Sequence, residues 1–303
     1  MNNLITILGP TATGKTTLAV NLASIISGEV ISADSRQIYR TMDIGTGKDL
    51  SDYVVGDKKI PYHLIDIANP GSRYNVFEYL VDFKAAFKKV VDTDNIPIMC
   101  GGSGMYLDAV LRGYKMGKVP VNDDLRIQLQ MLNVEELISK LKSYGSLHNT
   151  SDISDKQRLI RSIEIADYQS KYSDLNISIP EINSINFGIL FDRQVIRSRI
   201  TERLEVRLKE GLILEVESLL ENGIEPDNLI YYGLEYKFVT MFVTGQISYD
   251  YMFAKLNTAI HQFAKRQMTW YRRMEKNGVK INWIDGSIDI NDKLAVILNR
   301  INS

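Results

Sequence analysis

One cysteine, Cys100, rules out an internal disulfide and a multi-cysteine zinc site, and the three scattered histidines add no metal-ligand cluster. Neither sign of charge dominates: 36 Lys and Arg against 37 Asp and Glu leave a net charge of −1. A general basic coat for nucleic acid is therefore absent, and any such contact must come from a local patch. No run approaches the roughly 18 apolar residues of a membrane span. No basic segment followed by an apolar stretch opens the chain. A reducing, cytoplasmic location without a membrane partner is expected. Neither internal repeats nor low-complexity segments interrupt the 303 residues. With 45% apolar and 24% charged residues, a sizeable folded core is expected rather than disorder.

Strands alternate with helices along the first part of the chain. "NNLITILGPTATGKTTLAVNLASII" reads as a short buried strand, a glycine turn and a helix with Leu18, Leu22 and Ile25 on one face. "GEVISADS" is a second strand and "IPYHLIDIANP" a third. In "VFEYLVDFKAAFKKVVDTD", Phe77, Leu80, Phe83, Phe87, Val90 and Val91 recur at helical spacing. "NIPIMCGGSGMYLDAVLRG" is again strand, glycine turn, helix. This order predicts an α/β fold, a parallel sheet with helices on both faces. Ligands bind at the carboxyl ends of such strands, where Gly9–Thr16, Asp34–Gln37 and Gly101–Tyr106 fall. After Gly113 the pattern turns helical without intervening strands, so residues 114–185 read as a helical insertion and residues 1–113 and 186–303 as the core. "INFGILF" returns to a buried strand, two long helices follow over about Arg193–Asn222 and Tyr249–Asn277, and "KINWIDG" is a late strand.

"GPTATGKT", Gly9 to Thr16, has the spacing G-x-x-x-x-G-K-[ST] between a strand and a helix, the context a phosphate-binding P-loop demands. Gly9, Pro10, Thr11, Ala12, Thr13 and Gly14 form a tight turn whose N–H groups point inward, beside the positive end of the following helix. Lys15 can reach a terminal phosphate and Thr16 can hold Mg²⁺. The loop does not identify the phosphate carrier. A small-molecule kinase stays open; its usual acidic Mg²⁺ partner is missing from the end of "IPIMCGG", leaving Asp34 and Asp66 as available carboxylates.

"ADSRQIYRTMDIGTGK" resembles the D-S-x-Q-I-Y…D-I-G-T-[AG]-K signature of tRNA dimethylallyltransferases. "PYHLIDIANP", "GGSGMY", "SDKQRLIRSIEI", "EGLILEV" and "AKRQMTWYRR" are similar to further segments of that family, in its order, from roughly Gly9 to Arg273. The resemblance implies a P-loop kinase-like fold that moves a prenyl group instead of a phosphoryl group. The donor is dimethylallyl diphosphate, the acceptor N6 of the adenosine 3′ of the tRNA anticodon, and diphosphate is the leaving group. The helical insertion is then implied to clamp the anticodon stem-loop, and a monomer is expected. In this scheme Asp34, at a strand end beside the loop, is the general base that takes the amine proton. Lys15, Mg²⁺ on Thr16 and the loop N–H groups stabilise the leaving charge. Ser103, which keeps the hydroxyl of the family's threonine, is implied to touch the adenosine or the diphosphate. Asp34, Ser35, Arg36 and Gln37, together with Gln157, Arg158, Leu159, Ile160 and Arg161, correspond to the family's tRNA contact segments, and Arg126 to another contact. Gln37 can pair bidentately with an adenine edge, and Arg158 and Arg161 share a helix face that can grip phosphates.

Plainer roles stand beside these. Arg199, Arg203 and Arg207 form one helical stripe; with Glu202, Glu205 and Glu210 nearby, a solvated face is expected, although Arg203 and Arg207 remain candidates to approach the diphosphate. The basic and aromatic positions of "KRQMTWYRR" suit RNA, on a helix whose other face is Ile260, Phe263 and Trp270. His63 and Cys100 read as structural. Gly233 and Lys237 in "YYGLEYK", and Ile260 and His261 where the family has a threonine and an arginine, depart from the family pattern. A close competitor in chemistry is an adenylate isopentenyltransferase; the helical insertion and "QRLIR" count against it.

Overall fold

The computed structural model describes residues 2–145, 155–172, 176–177 and 179–302. They divide into two compact units, residues 1–114 with 179–303 and residues 115–178.

The first unit is built on a six-stranded sheet. Its strands are β1 (Leu4–Leu8), β2 (Gly28–Ser32), β5 (Tyr62–His63), β6 (Ile96–Gly101), β9 (Ser184–Leu190) and β10 (Asn282–Asp285), in the order β10-β9-β1-β6-β2-β5. All neighbours are parallel, for example Ile5 opposite Ile98 and opposite Ile185. A two-residue hairpin, β3 (Val54–Val55) with β4 (Lys58–Lys59), stands outside it. All five residues of "LITIL" in β1 are buried, as befits a central strand covered on both sides. Helix α1 (Lys15–Ile26) packs on β2 and β6, and α2 (Val76–Asp92) packs on β2, β6 and α3 (Gly104–Leu111). The chain runs outward from β1 to β2 and back from β5 to β6, so right-handed crossovers put α1 and α2 on opposite faces. The expected parallel sheet with helices on both faces is thus present. The loops after β1, β2 and β6 share one end of it, at the point where the strand order reverses.

Several details differ from the sequence reading. Ile25 is 54% exposed while Leu18 and Leu22 are buried, and Val91 turns to solvent while Val90 does not. The single helix expected over Arg193–Asn222 is two, α7 (Arg193–Lys209) and α8 (Leu212–Glu221). The break is at Gly211, whose φ of 109° is open to glycine and costly for other residues. Helices α9 (Pro226–Tyr231), α10 (Leu234–Val243) and α11 (Tyr249–Lys276) complete a helical layer with α7 and α8, centred on Leu204, Val216, Tyr232, Tyr236 and Leu256. Helix α12 (Ile290–Ile301) packs on α1.

The second unit holds α4 (Asp123–Gln130), α5 (Val134–Ser143) and α6 (Lys156–Lys171) around Leu129, Leu137, Leu159, Ile160 and Ile163. Asn122 caps α4, and Asn133 with Glu136 forms a capping box on α5. Where no strands were expected, a short antiparallel pair, β7 (Met116–Gly117) with β8 (Asn176–Ile177), joins its ends. Residues 179–185 fall in the first unit, and Ser184 and Ile185 already pair with β1.

Candidate active site

The phosphate loop follows β1 directly. Gly14 takes a left-handed φ of 74°, and Ala12 shares that region at 63°, a strained setting for a residue with a Cβ. Thr13 Oγ1 and Lys15 Nζ donate to the Pro10 carbonyl at 2.9 and 3.2 Å. The loop is fastened from α11. Gln267 accepts the Thr11 N–H at 2.9 Å and donates to the Gly102 carbonyl at 2.8 Å. The Tyr271 hydroxyl sits between the carbonyls of Gly9 and Gly102, at 3.0 and 3.2 Å. Gln267 and Tyr271 therefore tie the loop after β1 to the turn after β6. Both had been included in the candidate RNA-facing stretch, yet both are buried. Phe263, by contrast, is 39% exposed and not part of the inner face.

Asp34 leaves the end of β2 half-buried, and its Oδ1 accepts the Arg36 N–H at 2.9 Å, a local turn that holds the carboxylate in place. Ser103 accepts the Ser35 N–H at 2.8 Å and donates to Ser35 Oγ at 3.2 Å. Asp34, Ser35 and Ser103 are thus brought together across neighbouring strand ends. Gln37 Nε2 donates to the Gly47 carbonyl at 3.0 Å, so bidentate pairing with an adenine requires that bond to open. Asp66 is taken by the buried Lys48 ammonium, which also binds Asp43 and the Tyr39 carbonyl, so of the two carboxylates only Asp34 faces the loop.

The arginine stripe on α7 is solvated at Arg199, half-buried at Arg203 and buried at Arg207. Arg199 Nε donates to the Ala12 carbonyl at 2.9 Å, Arg207 is buried against Glu235 at 3.5 Å, and Arg203 lies 3.4 Å from Asp49. Glu202, Glu205 and Glu210 occupy the exposed side, so their proximity in sequence misled. A Cβ on Gly47, whose φ is 65°, would collide with both the Arg203 and Arg207 guanidinium groups. Thr11, Ala12, Arg203, Arg207 and Ile260 line a narrow cleft. Burial pushes the Lys15 ammonium below its usual pKa, and Arg203 and Arg207 add to that against Cys100 and Asp34. Burial, then Arg207, brings Arg203 down to about 10. Three crowded cations of this kind are relieved by a bound polyanion. Arg203→Ala is accordingly expected to weaken binding of a diphosphate roughly 30-fold or more, the loss usual for a buried charged hydrogen bond; a titration with inorganic diphosphate checks this.

Burial pushes the Cys100 thiol up to about 12, so this cysteine is no nucleophile. Among the described residues no group of three His, Cys, Asp or Glu side chains could hold a metal. The Thr16 hydroxyl with phosphate oxygens and water is nevertheless the set that Mg²⁺ commonly uses beside a bound phosphate, so the residues fit that ion as a companion of the substrate. His63 lies at the sheet edge, 2.6 Å from Glu29, in the structural role expected of it.

In the insertion unit the tRNA candidates separate. Leu159 and Ile160 are core residues, 0% and 2% exposed, and cannot touch RNA; their neighbours in "QRLIR" carried them into the motif. Arg126 grips Glu164 bidentately at 2.9 Å. Arg161 donates to Glu164 at 2.6 Å and to the Val119 carbonyl at 2.7 Å. Gln157 and Arg158 point outward, so Arg158 and Arg161 do not act as one phosphate clamp. Burial pushes the Glu164 carboxyl up, but hydrogen bonds from Arg126, the Asn122 N–H and Arg161 outweigh it and hold its pKa below the usual value. The network therefore contributes fully above about pH 4.3, the ordinary glutamate pKa, and its contribution is lost as pH falls through the lowered folded value. Glu164→Ala is expected to cost about 2–3 kcal/mol, less than a fully buried pair because both arginines reach water. Hydrogen exchange of α4–α6 in the intact chain measures it.

The family model described as IPP transferase matches residues 37–274. The chain belongs to this family. Proteins named tRNA dimethylallyltransferase 2 from Bacteroides fragilis and tRNA dimethylallyltransferase 1 from Parabacteroides distasonis are 50% and 52% identical, over 99% of this chain and 98% of each relative. A tRNA isopentenylpyrophosphate transferase structure from Bacillus halodurans superposes with a TM-score of 0.72 at 29% identity, covering 100% of this chain and 96% of that one. A eukaryotic dimethylallyltransferase acting on tRNA shares the fold, with a TM-score of 0.77 at 18% identity and 80% of its chain covered. Membership of the tRNA dimethylallyltransferase family, read from the motifs, is borne out. In this IPP transferase, the family departures lie near the helical layer. Ile260 packs in the cleft wall, and His261 Nε2 meets the Arg197 carbonyl at 3.3 Å.

Two anchors of the transferase escaped the sequence reading. Glu215 accepts the N–H groups of Asp43, Ile44 and Gly45 at 2.7–3.0 Å, and the Tyr236 hydroxyl at 2.7 Å. It holds the "DIGTGK" loop from 170 residues away. The other is Gln267 with Tyr271. Buried positions on α11 recur at Met252, Leu256, Ile260, Ala264, Gln267 and Tyr271, and a glutamine on such a face signals a buried polar partner.

Proposed function

We propose that this transferase moves a dimethylallyl group from dimethylallyl diphosphate to N6 of the adenosine 3′ of the tRNA anticodon. The observation that carries the reading is the pairing, at adjoining strand ends, of a cation-rich phosphate loop with one half-buried carboxylate, Asp34. The names of its relatives supply the tRNA and the dimethylallyl group, and the motif resemblance implies the diphosphate donor and the acceptor position.

The N6 nitrogen attacks the allylic carbon of the donor. The carbon–oxygen bond breaks and its electron pair leaves with the diphosphate. Asp34 takes the proton released from nitrogen, a step in which a placed carboxylate contributes about 10²–10⁴-fold. Lys15, Arg203, Arg207 and the loop N–H groups would turn to the charge that accumulates on the departing oxygen. Thr16 would be among the ligands of Mg²⁺, which would supply further neutralisation of the diphosphate charge. Ser103 and Ser35 position the Asp34 loop. The adenosine must leave the anticodon-loop stack to reach this cleft, at a cost of a few kcal/mol. Gln157, Arg158 and Arg36 offer exposed or half-exposed groups for tRNA, while Arg126 and Arg161 serve it by shaping the insertion unit. A cytoplasmic, monomeric enzyme belongs to the same proposal. One buried cysteine agrees with a reducing compartment, and no helix among the described residues is long and apolar enough to cross a membrane.

Incubation with labelled dimethylallyl diphosphate, Mg²⁺ and either unmodified tRNA or AMP tests this. Label in tRNA is expected. Label in AMP alone contradicts it in favour of the mononucleotide enzyme, and ATP turnover without label in either favours a kinase.

A further inference from the structure

Tyr231, at the last turn of α9, is 46% exposed, whereas the adjacent Tyr232 and the nearby Tyr39 are buried. Two guanidinium groups approach its ring: Arg73 Cζ at 5.2 Å and Arg36 Cζ at 5.9 Å from the centroid. Neither arginine has a carboxylate within 4.0 Å among the described residues. The cluster is held from beneath. Tyr232 packs on Tyr39 at 4.3 Å between centroids, and its hydroxyl donates to the Ser72 carbonyl at 2.7 Å. Tyr39 Oη accepts the Tyr74 N–H at 3.2 Å, which fixes the turn carrying Arg73 from its other side. Arg36 is fixed by the bond from its N–H to Asp34. The reacting centre is close: Arg36 follows Asp34 by two residues, and its N–H lies 2.9 Å from the Asp34 carboxylate.

An exposed ring flanked by two unneutralised guanidinium groups suits a single-stranded nucleotide, with a base stacked on the ring and its phosphate on the cations. We propose that Tyr231, with Arg36 and Arg73, is the platform on which an anticodon-loop nucleotide next to the reacting adenosine stacks. This rests on the prenyl-transfer reading above. The platform acts by positioning: it keeps the neighbour stacked while the target base turns towards Asp34.

Steady-state transfer to a synthetic anticodon stem-loop RNA tests it, with the wild-type rate first establishing the reaction itself. Tyr231→Ala is expected to raise KM for the RNA about 5- to 100-fold, the span measured for loss of one base–aromatic stack. KM for the donor stays within about twofold, and Tyr231→Phe restores the RNA KM because stacking needs the ring and not the hydroxyl. Arg73→Ala is expected to lower the slope of log KM against log salt by about 0.7–1, one phosphate contact. An unmodified wild-type RNA would overturn the function. A modified wild-type RNA with an unchanged RNA KM in Tyr231→Ala, or a donor KM that rises with it, would overturn the platform alone. Thermal unfolding of each variant separates a folding defect, which Tyr231→Phe and Arg73→Ala are placed to avoid.

Discussion

Asp34→Asn should reduce the single-turnover rate of prenyl transfer about 10³-fold, within the range expected for loss of a general base. The substitution keeps the side-chain oxygen that accepts the Arg36 N–H, so the turn after β2 persists. Binding of dimethylallyl diphosphate should change less than about threefold, because the phosphate loop, Lys15 and the two arginines of α7 are untouched. Amide oxygen is a far weaker proton acceptor than carboxylate, so the loss falls on chemistry. Rapid-quench transfer and donor titration on the same preparation separate the two quantities. Loss of donor affinity in step with the rate would instead make Asp34 a partner of the diphosphate's metal ion.

The second large effect is remote from the chemistry. Glu215 satisfies three consecutive backbone N–H groups and the Tyr236 hydroxyl, all by one carboxylate. Glu215→Ala leaves those donors without a partner, in a segment packed against the helical layer. A cost of about 2–3 kcal/mol is expected, below that of a fully buried network because Glu215 and Asp43 reach water. Glu215→Gln should cost less, since its amide oxygen can still accept the Asp43 and Ile44 N–H groups while its NH2 faces the Gly45 N–H. The loop it holds carries Gly47, which lies against Arg203 and Arg207. Weaker diphosphate binding should therefore accompany the lower midpoint of chemical denaturation. A change in stability with unaltered diphosphate affinity would show that the loop does not shape the cation cluster.

The sheet and the phosphate loop were legible because their signals are local. A five-residue apolar run, a glycine turn at fixed spacing and a helix leave few alternatives in β1 and α1. Asp34 was legible for the same reason, being two residues past the end of a strand. The arginine stripe was misjudged because exposure on a helix depends on what packs against it. Arg203 and Arg207 share a helix with the exposed Glu202 and Glu205, with Glu210 at its C-cap, and only the fold brings Gly47 onto the other side. Glu215, Gln267 and Tyr271 were missed as anchors because the backbone groups they hold lie 165 to 262 residues away in the chain. Gly211 shows the converse: one glycine within an apparently continuous helical pattern marked the break between α7 and α8. In "QRLIR", sequence proximity joined two core residues to two exposed ones, and helical periodicity alone could have parted them.

The claim at the centre is that the phosphate loop holds a leaving diphosphate while Asp34 strips the adenosine amine of its proton. A crystal structure of the enzyme with an unreactive donor analogue, Mg²⁺ and an anticodon stem-loop measures it directly. The account predicts the diphosphate on the N–H groups of residues 12–16 and the adenosine N6 about 2.6–3.2 Å from an Asp34 carboxylate oxygen. Asp34 on the metal ion, with N6 facing another group, would contradict it.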